Sequence, residues 1–151
     1  MIDINGMAHV ILTVSQYDKA KEFYSRLMPA MGLECVFDGS DMTYFVGART
    51  ALGIQPCKPE FLSERFEQGR VGLHHICFRA RSREDVDRVD ALLREMDAHM
   101  VSPAKEGNWA PGYYYVLCED PDGIRIEVNY VPGQGVLAED VRFNPGDSFH
   151  E

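Results

Sequence analysis

The pattern of apolar and polar residues occurs twice along this chain. Each copy opens with a histidine and a run of strand-forming residues, at residues 9–14 and again at residues 75–80. A segment with apolar residues three and four positions apart follows each run, which is typical of an amphipathic helix. These apolar positions are Ala20, Phe23, Leu27 and Met31 in the first copy, and Val86, Val89, Leu92, Leu93 and Met96 in the second. We therefore expect one supersecondary unit used twice.

Three more strand candidates follow each predicted helix, at 33–37, 42–46 and 51–55, and at 99–101, 112–119 and 124–130. Ser15 and Ser82 each begin a capping-box pattern that ends in an aspartate, and Gly32 lies where a glycine would end the first helix. Each unit is thus βαβββ, a small sheet with a helix on one face. We predict an α+β fold with a first module at 1–56, a linker at 57–70, a second module at 71–131 and a tail at 132–151, together one structural domain.

Alternation along the strands predicts which side chains share a face of each sheet. The apolar positions should pack on the helix, and the positions between them should point away from it. His9, His75 and Glu127 all fall on the face away from the helix, whereas His74 falls on the helix side. Each of the three alone is more often a structural residue. Their matching places in a repeat favour a divalent metal site, because two imidazoles and a carboxylate leave coordination positions for a substrate.

The net charge and composition of the chain limit the classes of molecule that it is expected to bind. A net charge of −9 argues against nucleic acid and, more weakly, against an anionic membrane surface. No apolar stretch approaches the roughly 20 residues of a membrane span, and no secretory signal is visible, so we expect a cytoplasmic protein. No C-x-x-C pair occurs, and we expect buried thiols in a reducing compartment at Cys35, Cys57, Cys77 and Cys118.

The chain resembles the vicinal oxygen chelate superfamily, which includes glyoxalase I, fosfomycin-resistance thiol transferases, bleomycin-binding proteins and extradiol dioxygenases. The resemblance spans about residues 7–130 and rests on His9-Val-Ile-Leu-Thr-Val, Ala20-Lys-Glu-Phe23-Tyr24, His75-Ile-Cys-Phe and Asp120-Pro-Asp-Gly-Ile-Arg-Ile-Glu127. It implies two βαβββ modules whose curved mixed sheets surround a central cleft. It also implies a divalent ion (Fe, Mn, Zn or Ni) on His9, His75 and Glu127, a catalytic role for Glu127, and a homodimer. In some members the dimer exchanges modules between chains.

Three positions depart from the patterns of individual members. Gly53 stands where the family has a fourth ligand, and Gln55, two residues on, is a poor substitute. Ile11 replaces the threonine of the thiol transferases, and Leu117 replaces a tyrosine of the extradiol enzymes. Isomerisation of the glyoxalase I type is therefore disfavoured, and the resemblance does not select one reaction.

The resemblance favours a metal-dependent enzyme that chelates a small oxygenated or thiol-linked substrate. A lyase or isomerase, a thiol transferase and a dioxygenase all remain open. The alternative is a metal-free protein that sequesters a small molecule such as a bleomycin-like drug. The predicted substrate pocket consists of Gln55, Trp109, Tyr113, Tyr115 and Arg125. For the three aromatic residues, packing in the core is an equally good interpretation. For Arg125, a solvated salt bridge is the simpler interpretation.

Overall fold

The computed structural model of the chain describes residues 1–141, which form two βαβββ units. The first unit contains residues 1–67 together with 121–123, and the second contains residues 68–120 and 124–141. Each unit carries a mixed four-stranded sheet and one helix, so the predicted fold class is confirmed. Neither helix within residues 1–141 has both the length and the apolar composition that crossing a bilayer requires.

The first unit follows the predicted order. It consists of β1 (His9–Val14), α1 (Tyr17–Ala30), β2 (Glu34–Asp38), β3 (Thr43–Val46) and β4 (Ala51–Pro56). The strands lie in the order β1-β4-β3-β2, with β1 parallel to β4 and the remaining pairs antiparallel. A 3-10 turn at Pro59–Phe61 follows, within the segment predicted as a linker.

The second unit repeats this arrangement. It consists of β5 (Ile76–Arg79), α2 (Arg83–Glu95), β6 (His99–Glu106), β7 (Tyr114–Glu119) and β8 (Arg125–Tyr130). Its strand order is β5-β8-β7-β6, again with a single parallel pair, between β5 and β8. The predicted tail begins with a 3-10 turn at Gly135–Leu137, and residues 142–151 of that prediction lie outside the described residues.

Each helix packs on the apolar face of its own sheet, as the alternation predicts. In β1, Leu12 and Val14 are buried, whereas His9, Ile11 and Thr13 are exposed. Burying one such aliphatic side chain contributes about 1.5–3 kcal/mol, so this face fixes the orientation of the strand. The helices bury Ala20, Phe23, Tyr24, Leu27 and Met28 from α1, and Val86, Val89, Asp90 and Leu93 from α2.

The two helices begin differently. Ser82 caps α2 as predicted, because its hydroxyl accepts a hydrogen bond from the Asp85 backbone N–H. The matching prediction for Ser15 is wrong, since Gln16 is the N-cap residue of α1 and makes no side-chain cap. Ser15 instead donates from its backbone N–H and its hydroxyl to Asp122, at 2.5 Å each. The carboxylate of a turn distant in sequence therefore satisfies the donors ahead of α1, where negative charge is favourable.

Both helices end in the same hydrogen-bonded motif. Gly32 has φ +83°, and the next residue, Leu33, donates its N–H to the carbonyl of Met28. This is a Schellman motif and confirms the role predicted for Gly32. Met31, predicted on the apolar face of the helix, is the C-cap residue instead. In α2 the left-handed position is held by Asp97 at φ +54°, with Ala98 N–H bonded to Leu93.

Strand β6 is longer than the sequence indicates. A strand is predicted at 99–101, yet β6 continues to Glu106, with a shift of register in the ladder between Ser102 and Lys105. A bulge of this kind accommodates a proline, which lacks an N–H for the ladder. Within the bulge, the Ala104 N–H donates to the buried carboxylate of Asp90 at 2.7 Å. The Asp90 side chain of α2 therefore accepts from a backbone N–H that lies at the bulge in the β6–β7 ladder.

The cysteines only partly follow the expectation of burial. All four are free thiols. Cys118 lies in the core, and burial raises its pKa to about 12, so it stays protonated at neutral pH. Cys35 and Cys77 are exposed instead, because β2 is an edge strand and Cys77 points away from the helix.

Candidate functional site

His75 and Glu127 lie together on the open face of the second sheet, the face away from α2. Glu127 is in register with Cys77 of β5, and His75 immediately precedes that strand. The Nε2 atom of His75 lies 3.3 Å from Oε2 of Glu127. Glu127 is only 5% exposed, so its carboxylate needs a partner to offset the cost of burial.

His74 contacts the other nitrogen of this imidazole. The Nδ1 atoms of the two rings are 2.7 Å apart, and Nε2 of Gln68 lies 3.2 Å from the same His74 atom. Alternation predicts His74 on the helix side, and both histidines precede β5, which begins at Ile76. Burial, with the charges of His75 and Arg125, lowers the pKa of His74, which favours a neutral ring that accepts at Nδ1.

The geometry of His75 and Glu127 suits two ligands of one metal ion. A neutral His75 that donates from Nδ1 to His74 has a bare Nε2, which then faces a carboxylate oxygen. A divalent ion bound at about 2.1 Å by each donor would hold the two atoms roughly 3.0–3.4 Å apart at ordinary coordination angles. The observed 3.3 Å lies within that interval. The donor types and their spacing therefore fit a divalent ion, and the same contact also fits an ion pair with a protonated His75.

Tyr113 binds the second oxygen of Glu127. Its hydroxyl donates a short hydrogen bond to Oε1, and it accepts one from Nδ2 of Asn129 at 2.7 Å. Nε of Arg79 donates to Oδ1 of that amide at 2.8 Å. Burial and the bonded carboxylate raise the pKa of Tyr113, so the phenol keeps the proton that it donates. A continuous set of hydrogen bonds thus runs from Arg79 to Glu127.

Three of the predicted pocket residues form one aromatic cluster in the second unit. The rings of Trp109, Tyr113 and Tyr115 meet edge to face, with centroids 4.9 to 5.8 Å apart. Gly107 permits this packing, because a Cβ atom there would lie 2.8 Å from the indole of Trp109. The cluster includes Tyr113, so the aromatic residues hold one partner of Glu127 in place.

Arg125 is paired rather than free to receive an anion. Its Nε donates to Oε1 of Glu119 at 3.3 Å, across the β7–β8 ladder. The Arg125 side chain is 17% exposed. The simpler alternative for this arginine, a salt bridge, is thus present, and the pocket role stays a prediction.

The first unit places a histidine on its own open face, with glycine at the position that Glu127 holds in the second unit. His9 is exposed on β1, and its ring stands edge-on to Tyr44 at 6.5 Å. Gly53 is in register with Ile11, and a Cβ atom on Gly53 would lie 2.6 Å from Ile11 and 2.9 Å from Tyr44. Gln55 donates to the Thr13 hydroxyl at 3.1 Å. Apolar and aromatic side chains therefore occupy the space around the fourth family position.

A complete set of metal ligands is not assembled within residues 1–141. No group of three or more His, Cys, Asp or Glu side chains in that part of the chain could hold a metal ion. The structure brings together two of the three predicted donors, His75 and Glu127. The assignment of His9 as the third donor stays a prediction.

Sequence comparison finds relatives over most of the chain. The family model of the Glyoxalase/Bleomycin resistance protein/Dioxygenase superfamily matches residues 6–128. The uncharacterised protein YqjT of Bacillus subtilis (strain 168) is 29% identical over 126 residues, which make up 81% of this chain and 96% of that protein.

Structural comparison finds the same fold in solved proteins. A provisionally assigned glyoxalase from Bacillus halodurans matches with a TM-score of 0.75 and 27% identity, over 84% of this chain and 96% of that one. A variant of the fosfomycin resistance protein FosX from Listeria monocytogenes was solved with Mn(II) and 1S,2S-dihydroxypropylphosphonic acid. It matches with a TM-score of 0.60 and 19% identity, over 83% of this chain and 90% of that one. The second likeness concerns the fold alone.

Proposed function

We propose that this chain, which belongs to the Glyoxalase/Bleomycin resistance protein/Dioxygenase superfamily, is a metal-dependent enzyme. Its proposed substrate is a small oxygenated or thiol-linked molecule. The observation that carries the proposal is the pair of His75 Nε2 and Glu127 Oε2, 3.3 Å apart on an open sheet face. FosX, a structural relative, was solved with Mn(II), which supports a divalent ion in this fold. The identity of the ion among Fe, Mn, Zn and Ni is open.

The residues of the second unit have distinct roles in this proposal. His75 and Glu127 hold the ion, and His9 is the proposed third ligand. When bound, a divalent ion supplies a Lewis acid that stabilises negative charge developing on substrate oxygens. Tyr113 keeps Glu127 in place, and the adjoining rings of Trp109 and Tyr115 form an apolar wall for the substrate. The proposed pocket also includes Gln55 and Arg125.

The reaction class is narrowed by the first unit. Gly53 offers no side chain at the fourth family position, and Ile11 and Tyr44 surround it. A second carboxylate for moving a proton is therefore missing from that position, which disfavours isomerisation of the glyoxalase I type. A ligand set of two histidines and one glutamate is compatible with thiol transfer, a lyase reaction or dioxygenation.

Metal analysis tests the proposal directly. Protein purified without added metal is expected to contain about one divalent ion per chain. The ion should be lost in His75→Ala and Glu127→Ala and, if His9 is the third ligand, in His9→Ala. Elemental analysis with rebinding after chelation measures the stoichiometry. A value near zero in the wild type, with no rebinding of Fe²⁺, Mn²⁺, Zn²⁺ or Ni²⁺, would refute the metal-dependent function.

A metal-free binding protein is the second candidate. It is favoured by one observation, that residues 1–141 contain no group of three metal-binding side chains. The apolar residues Ile11, Phe37 and Val46, which are 37–52% exposed, could contact a hydrophobic ligand such as a bleomycin-like drug. Equilibrium dialysis against a ligand panel separates the candidates, because binding unchanged by chelator supports sequestration and binding lost with chelator supports the enzyme.

We also propose that the chain forms a homodimer in the cytoplasm. The support is family membership, since an exchange of modules between two copies would let His9 of one chain complete the ligands of the other. Sedimentation equilibrium tests the state of association. A monomer at micromolar concentration, with metal bound at full stoichiometry, would exclude a shared site.

A further inference from the structure

We infer that Tyr113 is a positioning residue that makes Glu127 a one-oxygen metal ligand. The inference rests on the proposed function, because it concerns the same metal site. Tyr113 donates to Oε1 of Glu127, whereas Oε2 lies beside Nε2 of His75. One carboxylate oxygen is therefore engaged by the protein, and the other is directed to the proposed ion.

The direction of each hydrogen bond in this network is forced by its neighbour. Arg79 has only donors, so the Asn129 atom that it contacts must be the amide oxygen. The amide nitrogen of Asn129 then points to Tyr113 and donates to its hydroxyl oxygen. The hydroxyl proton of Tyr113 is thus left for Glu127, which as a carboxylate can only accept. Arg79 therefore fixes the orientation of the whole series.

The surroundings hold Tyr113 in this orientation. Its ring stands edge-on to Trp109 at 4.9 Å and to Tyr115 at 5.8 Å, and Glu127 is 5% exposed. A carboxylate offers about four lone-pair sites, of which the Tyr113 hydroxyl occupies one on Oε1, while Oε2 lies beside Nε2 of His75 on the side where a cation would bind. Hydrogen-bond partners of metal ligands commonly change metal affinity about 10- to 100-fold, by fixing the ligand's orientation and basicity.

The neighbouring tyrosine offers a matched control. Tyr114 also donates its hydroxyl to a carboxylate, Asp87 of α2, at 2.7 Å. Tyr114, the first residue of β7, lies on the helix side, since its hydroxyl contacts Asp87 of α2, whereas Tyr113 precedes the strand and lies beside Glu127. Tyr114→Phe thus removes one tyrosine–carboxylate hydrogen bond from the same unit without touching the metal site.

The test is titration of the metal-free protein with Co²⁺, followed by calorimetry and visible absorption. Tyr113→Phe is expected to weaken Co²⁺ binding about 10- to 100-fold. It should also change the absorption bands of the bound ion, because Glu127 can then coordinate through both oxygens. Tyr114→Phe should match the wild type in Co²⁺ affinity and in spectrum. A merely structural role of Tyr113 would lower thermal stability without altering the spectrum.

Arg79→Met supplies a second variant, because Arg79 is exposed and its loss spares the core. It should change the Co²⁺ spectrum in the same direction as Tyr113→Phe, with a smaller loss of affinity. If wild-type protein binds Co²⁺ and both variants match its affinity and spectrum, the positioning role is overturned while the proposed function stands. If wild-type protein binds no Co²⁺ or other divalent ion, the proposed function itself fails.

Discussion

The two βαβββ units share a scaffold but carry different chemistry on their open sheet faces. Strand registers match the units position by position, since Ile11 is opposite Gly53 in the first and Cys77 is opposite Glu127 in the second. The first unit therefore has glycine where the second has the carboxylate proposed to bind metal. The other matched pairs are His9 with His75, Thr13 with Arg79, and Gln55 with Asn129.

In each unit, a side-chain hydrogen bond joins the same pair of matched positions, but it leads to a carboxylate only in the second unit. In the first unit, Gln55 donates to Thr13 and the series ends there. In the second, Arg79 donates to Asn129, which leads through Tyr113 to Glu127. The comparison shows that the repeat supplies matching positions, and that the second unit places a carboxylate with supporting hydrogen-bond donors where the first has glycine.

The first way to break the comparison is to give the first unit the missing carboxylate. Gly53→Glu is expected to lower the free energy of unfolding by roughly 1–3 kcal/mol, because overpacked side chains force their neighbours to move. The new Cβ atom would meet Ile11 at 2.6 Å and Tyr44 at 2.9 Å. Urea denaturation measures the change.

Two companion variants locate the cause of that destabilisation. Gly53→Ala should show a large part of the cost, since the contacts begin at Cβ. Adding Ile11→Ala to Gly53→Glu should recover some stability, and a double-mutant cycle would quantify the coupling. A Gly53→Glu protein as stable as the wild type would show that Ile11 and Tyr44 do not restrict this position.

Much of the fold could be predicted because its signals are local. Hydrophobic periodicity gave both helices and the order of helix and strands along each unit, and Gly32 marked a helix end. The failures involve partners distant in sequence. Ser15 has the residue type of an N-cap, but Asp122, 107 positions away, binds its donors. The strand predicted at 99–101 continues through Pro103 to Glu106, because the bulge and Asp90 accommodate the proline.

Strand alternation predicted which side chains of the candidate site share a sheet face, but it did not predict their hydrogen-bond partners. Alternation put His75 and Glu127 on one face, and the structure has them 3.3 Å apart. It gave no sign that His74 contacts the ring of His75 or that Tyr113 binds Glu127. Tyr113 entered the prediction as a pocket wall, because its hydroxyl contact depends on the turn before β7 rather than on residue spacing.

The second unit has another buried carboxylate, Asp90, which lies on the helix side of the sheet, whereas Glu127 lies on the open face. Asp90 is largely desolvated, which favours its neutral form. Hydrogen bonds from Arg94 and the Ala104 N–H outweigh this and lower its pKa from the ordinary value of 3.8. A carboxyl with a lowered folded-state pKa contributes stability above its unfolded pKa, and this is lost as the pH falls through the folded pKa.

Asp90→Asn is therefore expected to cost about 1 kcal/mol at pH 7, since the amide still accepts from Ala104 but loses the charge-assisted bond to Arg94. Urea denaturation at a series of pH values measures the difference from the wild type. That difference should shrink as the pH falls below about 4. Equal costs at pH 7 and pH 3 would mean that the charge of Asp90 adds nothing to stability.

The smallest expected effect comes from the helix ends, where the two units use different residues for one motif. Gly32 holds the left-handed position after α1, and Asp97 holds it after α2 at φ +54°. Glycine adopts that conformation without the steric cost that a Cβ atom brings. Asp97→Gly is thus expected to raise the free energy of unfolding by roughly 0.5–1 kcal/mol, and Gly32→Asp to lower it similarly. Thermal and urea denaturation of both variants provide the measurement. If Asp97→Gly is destabilising, then the Asp97 side chain makes a favourable interaction that outweighs its backbone strain, and the two helix ends are not equivalent.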